Sequence, residues 1–253
     1  MIVKKYKMIA LLLVLSLAGV LTFSLAWAAE SNKASIAFME GKVLFKDGRK
    51  GEWKAAAVGT ELGKTHYLKT EKGAKAELKL PDGSVIRVAP DSQIRMKSLI
   101  FGKSKVQKER DFDMKLEAGR IWANVSKAVG GDQNFKIETG NAVAGVRGTV
   151  FQIGLIGAAK DIATVVKVYS GAVAVVGNAP QYQRKGDTKT NRVQVKGPQQ
   201  VTKKKWEELV AKAMQQIRVA SNGEMTMEGL VMEKEQKDDW VAWNLERDKA
   251  IAR

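Results

Sequence analysis

The side chains able to do chemistry are few in this chain and poorly grouped. There is one histidine, His66, and no cysteine. A thiolate nucleophile, a disulfide framework, an Fe–S cluster and a Cys-ligated metal are therefore excluded. A Ser-His-Asp triad would have to be built on His66, and a two-histidine zinc site lacks its second ligand. His66 stands in Thr65-His66-Tyr67-Leu68, a strand-like context in which a lone histidine reads as a partly buried core residue. Asp82 and Asp91 flank a β element nine residues apart. Paired carboxylates could exchange protons with a substrate, but aspartates at turns commonly hydrogen-bond their own backbone. No catalytic residue, metal ligand or cofactor site is assigned, and the chain is expected not to be an enzyme.

Basic residues are abundant instead. The 253 residues hold 43 Lys plus Arg against 27 Asp plus Glu, a net charge of +16. Lys42, Lys46, Arg49, Lys50 and Lys54 form one cluster, a candidate anion-binding set. Lys97, Lys103, Lys105, Lys108 and Arg110 form another. Either could meet an anionic glycan or lipid surface, or could be a solvated face. Nucleic acid is not expected as a partner, because the export read from the N-terminus below removes the chain from most of it.

The N-terminus has the pattern of an export signal. Lys4, Lys5 and Lys7 precede an uncharged apolar run from Met8 to Leu25, and Ala26-Trp27-Ala28 fits a small-x-small cleavage site. Residues 1–28 are read as a signal peptide and 29–35 as the mature N-terminal segment. The setting is then the periplasm or another exported location. An uncleaved inner-membrane anchor is the alternative, and membrane contact is expected only in that case. Removing residues 1–28 takes away three lysines and no acid, which leaves +13 of the +16. Residues 199–253 contain ten basic and ten acidic side chains, so the excess lies in residues 29–198.

The elements that must position these residues are mostly strands. β-branched runs or alternation recur at Ile36–Phe45, Lys75–Leu80, Ser84–Val88, Ile121–Val125, Val150–Ile153 and Thr164–Val168. Pro81-Asp82-Gly83 between two alternating segments predicts a hairpin. A glycine, one residue, then a β-branched residue recurs at Gly41, Gly83, Gly119, Gly148 and Gly171, at uneven spacing. This favours repeated tight turns into strands over a solenoid of identical coils. Residues 36–176 are thus expected to be an all-β domain, with β-helix-like or sandwich-like stacking. Gly102–Lys115 reads as an extended surface connection, and 177–198 as a basic linker or additional strand. Residues 199–253 read as helical. Thr202 would cap a first helix carrying Trp206, Leu209, Val210, Ala213, Met214 and Ile217 on one face. A second would span Lys237–Ala250, with its tryptophans packed on the β domain.

Several segments in order resemble the FecR domain family. They are Glu40-Gly41-Lys42-Val43, the Trp53–Leu62 element, Leu68–Leu78, Pro81-Asp82-Gly83-Ser84, Leu116–Ile121 and, most specifically, Thr139–Phe151. The last contains Gly145, Arg147, Gly148, Thr149 and Phe151. The resemblance covers roughly residues 36–176. It implies an exported, mainly β domain without catalytic residues that binds a protein partner of the envelope and relays a signal. Binding of an envelope polyanion such as peptidoglycan or anionic lipid is the alternative. The family's named members connect an outer-membrane receptor to a sigma factor; with seven residues before the apolar run, sigma-factor regulation by this chain alone is not expected. For the motif residues, Gly145 and Gly148 are expected to shape turns and Arg147 to pair with a nearby acid, although Arg147 could instead bind a carboxylate or phosphate.

The signal-peptide reading is checked by mass spectrometry of the exported chain. The mature N-terminus is expected at Ala29; an intact Met1 on a membrane-retained chain would replace this reading with the anchor.

Overall fold

The computed structural model describes residues 32–103, 108–127, 133–158, 161–177 and 210–251. Strands follow the chain as β1 (Ala34–Glu40), β2 (Val43–Asp47), β3 (Lys54–Ala55), β4 (Glu61–Leu62), β5 (His66–Thr70), β6 (Lys75–Lys79), β7 (Val85–Val88), β8 (Gln93–Lys103) and β9 (Lys108–Ala118). They continue as β10 (Arg120–Asn124), β11 (Gln133–Glu138), β12 (Ala142–Val146), β13 (Val150–Ile156), β14 (Ala163–Ser170), β15 (Ala172–Gly177), β16 (Val210–Lys212), β17 (Gln215–Val219) and β18 (Met225–Gly229). Two helices close the described chain, α1 (Met232–Glu235) and α2 (Asp239–Ile251).

The strands form two nine-stranded sheets. The first runs β18-β17-β14-β13-β10-β7-β6-β1-β4 and the second β16-β15-β12-β11-β9-β8-β5-β2-β3. All pairings are antiparallel except β9 with β11. Alternation assigns one side of every strand to a shared core. Ile36, Leu78, Ile86, Ile121, Ile153, Val166 and Ile217 from the first sheet meet Val43, Leu68, Ile94, Phe112, Phe135 and Val173 from the second. The fold is therefore a sandwich, the second of the two stackings expected.

Every glycine of the recurring Gly-x-β pattern has positive φ, from 60° at Gly148 to 84° at Gly83. Gly119 shows the steric side of the same constraint. A Cβ there would lie 2.1 Å from Ser92 Oγ and 2.7 Å from the Asp91 carbonyl oxygen. The Pro81-Asp82-Gly83 turn joins β6 to β7 as a hairpin with Lys79 opposite Val85.

Two expectations are corrected. The described residues of Gly102–Lys115 are strand and not a surface connection: β8 and β9 pair from Gln93↔Ala118 to Lys103↔Lys108. Phe112, Met114 and Leu116 point into the core while Asp111, Asp113 and Lys115 alternate outward, and the outward charges mask the period of two. Nor does the first expected helix exist in the residues described. Val210–Lys212 and Gln215–Val219 are strands, with Ala211, Ile217 and Val219 buried and Met214 at φ 65° between them. Thr202, Trp206 and Leu209 lie outside the described residues, as does most of the linker at 177–198. The second expected helix is present as α2.

α2 packs on the outer face of the first sheet. Trp240 and Val241 meet Ala89 and Trp122 in a second apolar cluster, with Tyr169 and Trp243 against it. The tryptophans of α2 thus pack as expected. The seam itself is polar. Arg87, 0 % exposed, donates from Nε to Glu77 Oε2 at 2.7 Å and from Nη1 to Asp248 Oδ1 at 2.8 Å. The same Nη1 lies 3.2 Å from Asn244 Oδ1. Asp248 Oδ2 accepts from Trp122 Nε1 at 2.8 Å, and Arg247 Nε donates to Glu77 at 2.9 Å.

Breaking such a seam from one side leaves a buried charge uncompensated. Arg87→Met is expected to cost about 3–5 kcal/mol in urea unfolding, whereas a loss under about 1 kcal/mol would show the seam to be slack. The pH dependence follows from Glu77. Burial pushes its carboxyl upward, but hydrogen bonds from Arg247 and Arg87 outweigh this and hold it below its ordinary value of 4.5. A group depressed on folding stabilises the fold fully above its unfolded value and loses that contribution as pH falls through the folded one. Melting followed by tryptophan fluorescence should therefore weaken below pH 4.5, and Glu77→Gln should flatten that acid limb.

Candidate functional site

Register places one residue from each of eight neighbouring strands in a single row across the outer face of the first sheet. The row reads Phe38, Glu77, Arg87, Trp122, Gln152, Lys167, Gln216 and Glu228. α2 covers its first half. Beyond the helix the row runs into a cleft of about 480 Å³, within the range of ligand sites. A second row forms the rest of the floor, with Arg120 opposite Gly154, Gly154 opposite Val165 and Val165 opposite Arg218. Gly154 faces outward, and a Cβ there would lie 3.1 Å from Arg120 Cβ. The missing side chain lets Arg120 lie along the floor and leaves depth above it.

Most charges around the cleft are already paired. Arg120 donates to both carboxylate oxygens of Asp238, at the junction of α1 and α2. Burial raises the Asp238 carboxyl, and the Arg120 hydrogen bond and charge more than reverse this, so it lies below its ordinary value. Lys167 Nζ reaches both oxygens of Glu235 at 2.8 and 2.9 Å, and Tyr169 Oη donates to the same carboxylate at 2.8 Å. Burial first, and Glu235 second, push the Tyr169 phenol strongly upward, so it remains a neutral donor. Gln216 donates to Glu228. Two groups stand apart. Arg218 has no ion pair among the described residues, and Gln152, 7 % exposed, has a buried Oε1 without a hydrogen-bond partner. Leu155 and Ile156 give the rim an apolar edge, with Ile156 43 % exposed. Such a site can hold and orient a ligand; apart from Arg218, most of its charged groups are committed to one another.

The residues singled out in the sequence are dispersed. His66 is half-buried, stacked on Phe45 at 6.5 Å between ring centroids, with Nδ1 3.9 Å from Asp47 Oδ1. Asp82 accepts from Ser84 N and Oγ at 3.0 and 2.8 Å and pairs with Arg110 at 3.0 Å. Asp91 is an exposed loop residue at φ 54° on the cleft rim. In the motif, Gly148 turns the chain, but Gly145 lies inside β12 and shapes no turn. Arg147 is exposed and has no acidic partner among the described residues. Thr149 Oγ1 donates to the Arg147 and Ala172 carbonyls at 3.1 and 3.0 Å, and Phe151 is core.

The basic clusters divide as well. Lys42 pairs with Glu71 at 3.3 Å, and Lys50 and Lys54 are exposed. Lys46 Nζ sits 4.8 Å from the Trp53 ring centroid and 5.0 Å from that of Tyr67. Lys97 is held by Glu138 at 2.6 Å and Asp113 at 3.1 Å. Arg110 is 6 % exposed against Asp82 and the Phe135 ring, which removes it from any polyanion surface. The side chains of Lys103 and Lys108, and all of Lys105, lie outside the described residues.

Sequence reasoning missed Arg87, Trp122, Gln152 and Arg120. A signal existed for the first two: each stands among apolar neighbours on a strand whose alternate residues are core, and a charge or an indole at such a place requires a cover. Gln152 gives no comparable signal, because a glutamine facing outward from a strand is ordinary until its surroundings are known.

The architecture defines a two-sheet β sandwich with a C-terminal helix across one face and a cleft beside it. The profile of the family described as FecR protein matches residues 66–174, and over that segment the chain is similar to the FecR family. Two solved structures of a candidate anti-sigma factor from Parabacteroides distasonis are similar to the chain at 19 % identity, with TM-scores of 0.43 and 0.44. The similarity covers 66 % of this chain and 61 % of each of those chains. No curated protein matches the chain. No helix among the described residues is long and apolar enough to cross a membrane, and no group of three or more potential metal-binding side chains occurs among them.

Proposed function

We propose that the chain is a non-enzymatic relay module of the FecR type, exported to the periplasm, that receives a segment of a protein partner in the cleft beside α2. The observation that carries this reading is Gln152. A buried carbonyl oxygen without a donor costs free energy, and a peptide N–H laid along the floor would satisfy it. Arg218, without an ion pair among the described residues, offers a cation to an acidic side chain of the same segment, and Leu155 and Ile156 offer apolar contact. Because α1 and α2 form one wall through Asp238, a bound segment would bear directly on the seam that holds the helix. A signal could pass in that way without chemistry.

Photo-crosslinking in intact cells tests the site. A benzophenone amino acid at Ile156, on the cleft rim, is expected to give a discrete protein adduct that weakens in Gln152→Ala. The same probe at Val176, 52 % exposed on the second sheet, is the control. Adducts from Val176 alone, or from neither position, would overturn the assignment.

A further inference from the structure

The outer face of the second sheet offers a different kind of site. Where β5 and β8 meet the loops after β2 and before β5, a pocket of about 310 Å³ opens between Gly48, Arg49, Thr65, Tyr67, Arg95 and Lys97. We propose that this pocket binds a phosphate group, with Arg49 and Arg95 as its cationic ligands.

Three observations converge on it. First, two guanidinium groups line one concavity without anionic partners. Among the described residues neither Arg49 nor Arg95 forms an ion pair, and Arg95 Nε is buried with no hydrogen-bond partner. The buried Arg95 nitrogen left without a partner is costly, Arg49 is exposed at the mouth, and a guanidinium presents its donors in a fork that suits a phosphate. Lys97 differs, since Asp113 and Glu138 already neutralise it.

Second, the floor keeps positive charge concentrated. The Tyr67 ring, 4 % exposed, has Lys46 Nζ 5.0 Å from its centroid and Arg95 Cζ 5.9 Å from it. The ring face attracts both cations and keeps them close together at the pocket. Lys46 also donates to the Arg49 carbonyl at 2.9 Å, which fixes the loop carrying Arg49.

Third, the lining contains backbone strain. His66 N donates to the Gly63 carbonyl at 3.2 Å, closing a turn in which Thr65 holds the third position at φ 77°. Turns of that shape place glycine or asparagine there, and a β-branched residue with positive φ is an outlier that tends to persist at functional sites. Thr65 uses its side chain. Its Oγ1 donates to Asp47 Oδ1 at 2.6 Å, occupying the acid that adjoins Gly48 in the chain. A glycine would relieve the strain and leave that carboxylate free to compete for the arginines.

The site differs from the cluster expected in the sequence. Of that cluster, Arg49 is in the pocket, Lys46 supports it, and Lys42, Lys50 and Lys54 are not among its lining residues. It stands independently of the cleft on the first sheet. The phosphate could be free or carried by a lipid headgroup, and the two sources need separate probes.

The test is a titration of the full chain with inorganic phosphate, followed by ³¹P NMR line broadening, and with phosphatidylglycerol vesicles, followed by co-sedimentation, both in 0.15 M salt. Arg49→Ala changes an exposed loop residue and should leave the fold intact; Arg95→Gln removes the buried donor; Lys54→Ala is the control for diffuse charge. Affinity is expected to fall about tenfold or more in each arginine variant, the scale of one charge-assisted hydrogen bond, and to hold in Lys54→Ala. Phosphate binding with that pattern supports a free-ion site, and vesicle binding alone with that pattern supports a headgroup site. Binding of neither probe, or equal weakening by Lys54→Ala, would overturn the proposal.

Discussion

The buried guanidinium of Arg87 is the constraint on which the outer face of the first sheet depends. An arginine on the middle of a strand, fully removed from water, cannot be left without acceptors. Glu77 on the neighbouring strand supplies one, and the sheet can provide that alone. Asp248 and the Asn244 side chain supply the others, and they exist only when α2 lies across the sheet. The helix is therefore more than an apolar lid: Trp240 and Val241 give it adhesion, while Asp248, bridging Arg87 and Trp122, fixes where along the sheet it sits. Buried ion pairs contribute less to stability than to uniqueness of placement in the best-attested cases. Here the placement determines where the cover ends and the cleft begins.

That boundary explains the character of the cleft. The transverse row passes from Trp122, under the helix, to Gln152, beside it, in one inter-strand step. Arg120, a neighbour of Trp122 on β10, ties to Asp238 just before α2, and Lys167 ties to Glu235 at the end of α1. The same ion pairs that hold the helical segment thus form the cleft wall. A partner in the cleft and the helix on the seam share walls and charges, so loading one changes the electrostatic surroundings of the other. That is a physical route by which loading of the cleft would reach the helix.

Much of the scaffold was legible in the sequence where local and tertiary signals agreed. The hairpin at Pro81-Asp82-Gly83 and the recurring glycines needed only turn geometry, and the helix at Lys237–Ala250 needed only its first-turn aspartates and its tryptophans. The misreadings occurred where two periods overlapped. In residues 108–118 the outward charges outnumber what an exposed connection and a half-buried strand would distinguish. In residues 210–219, Val210, Ala213, Met214 and Ile217 satisfy a helical spacing by coincidence, while Ala211, Ile217 and Val219 carry the strand. Only pairing with β14 and β15 resolves that ambiguity. The cleft was harder still. Arg120, Gln152 and Arg218 come from three strands well separated in sequence, and nothing local announces that register will set them side by side.

The two outer faces also show why net charge was a weak guide. The excess of positive charge is real, but its value as recognition depends on which cations are left unpaired. Arg110 and Lys97 are consumed by acids within the sandwich, and Lys42 is paired at its edge. Arg49 and Arg95 are among those without an ion pair in the described residues, and they line one pocket whose Tyr67 ring attracts both Lys46 and Arg95. Thr65 holds a strained turn to keep Asp47 engaged. A diffuse basic surface would need none of that arrangement. Local pairing, not the total of lysines and arginines, is therefore what separates a surface suited to recognition from one that is merely soluble.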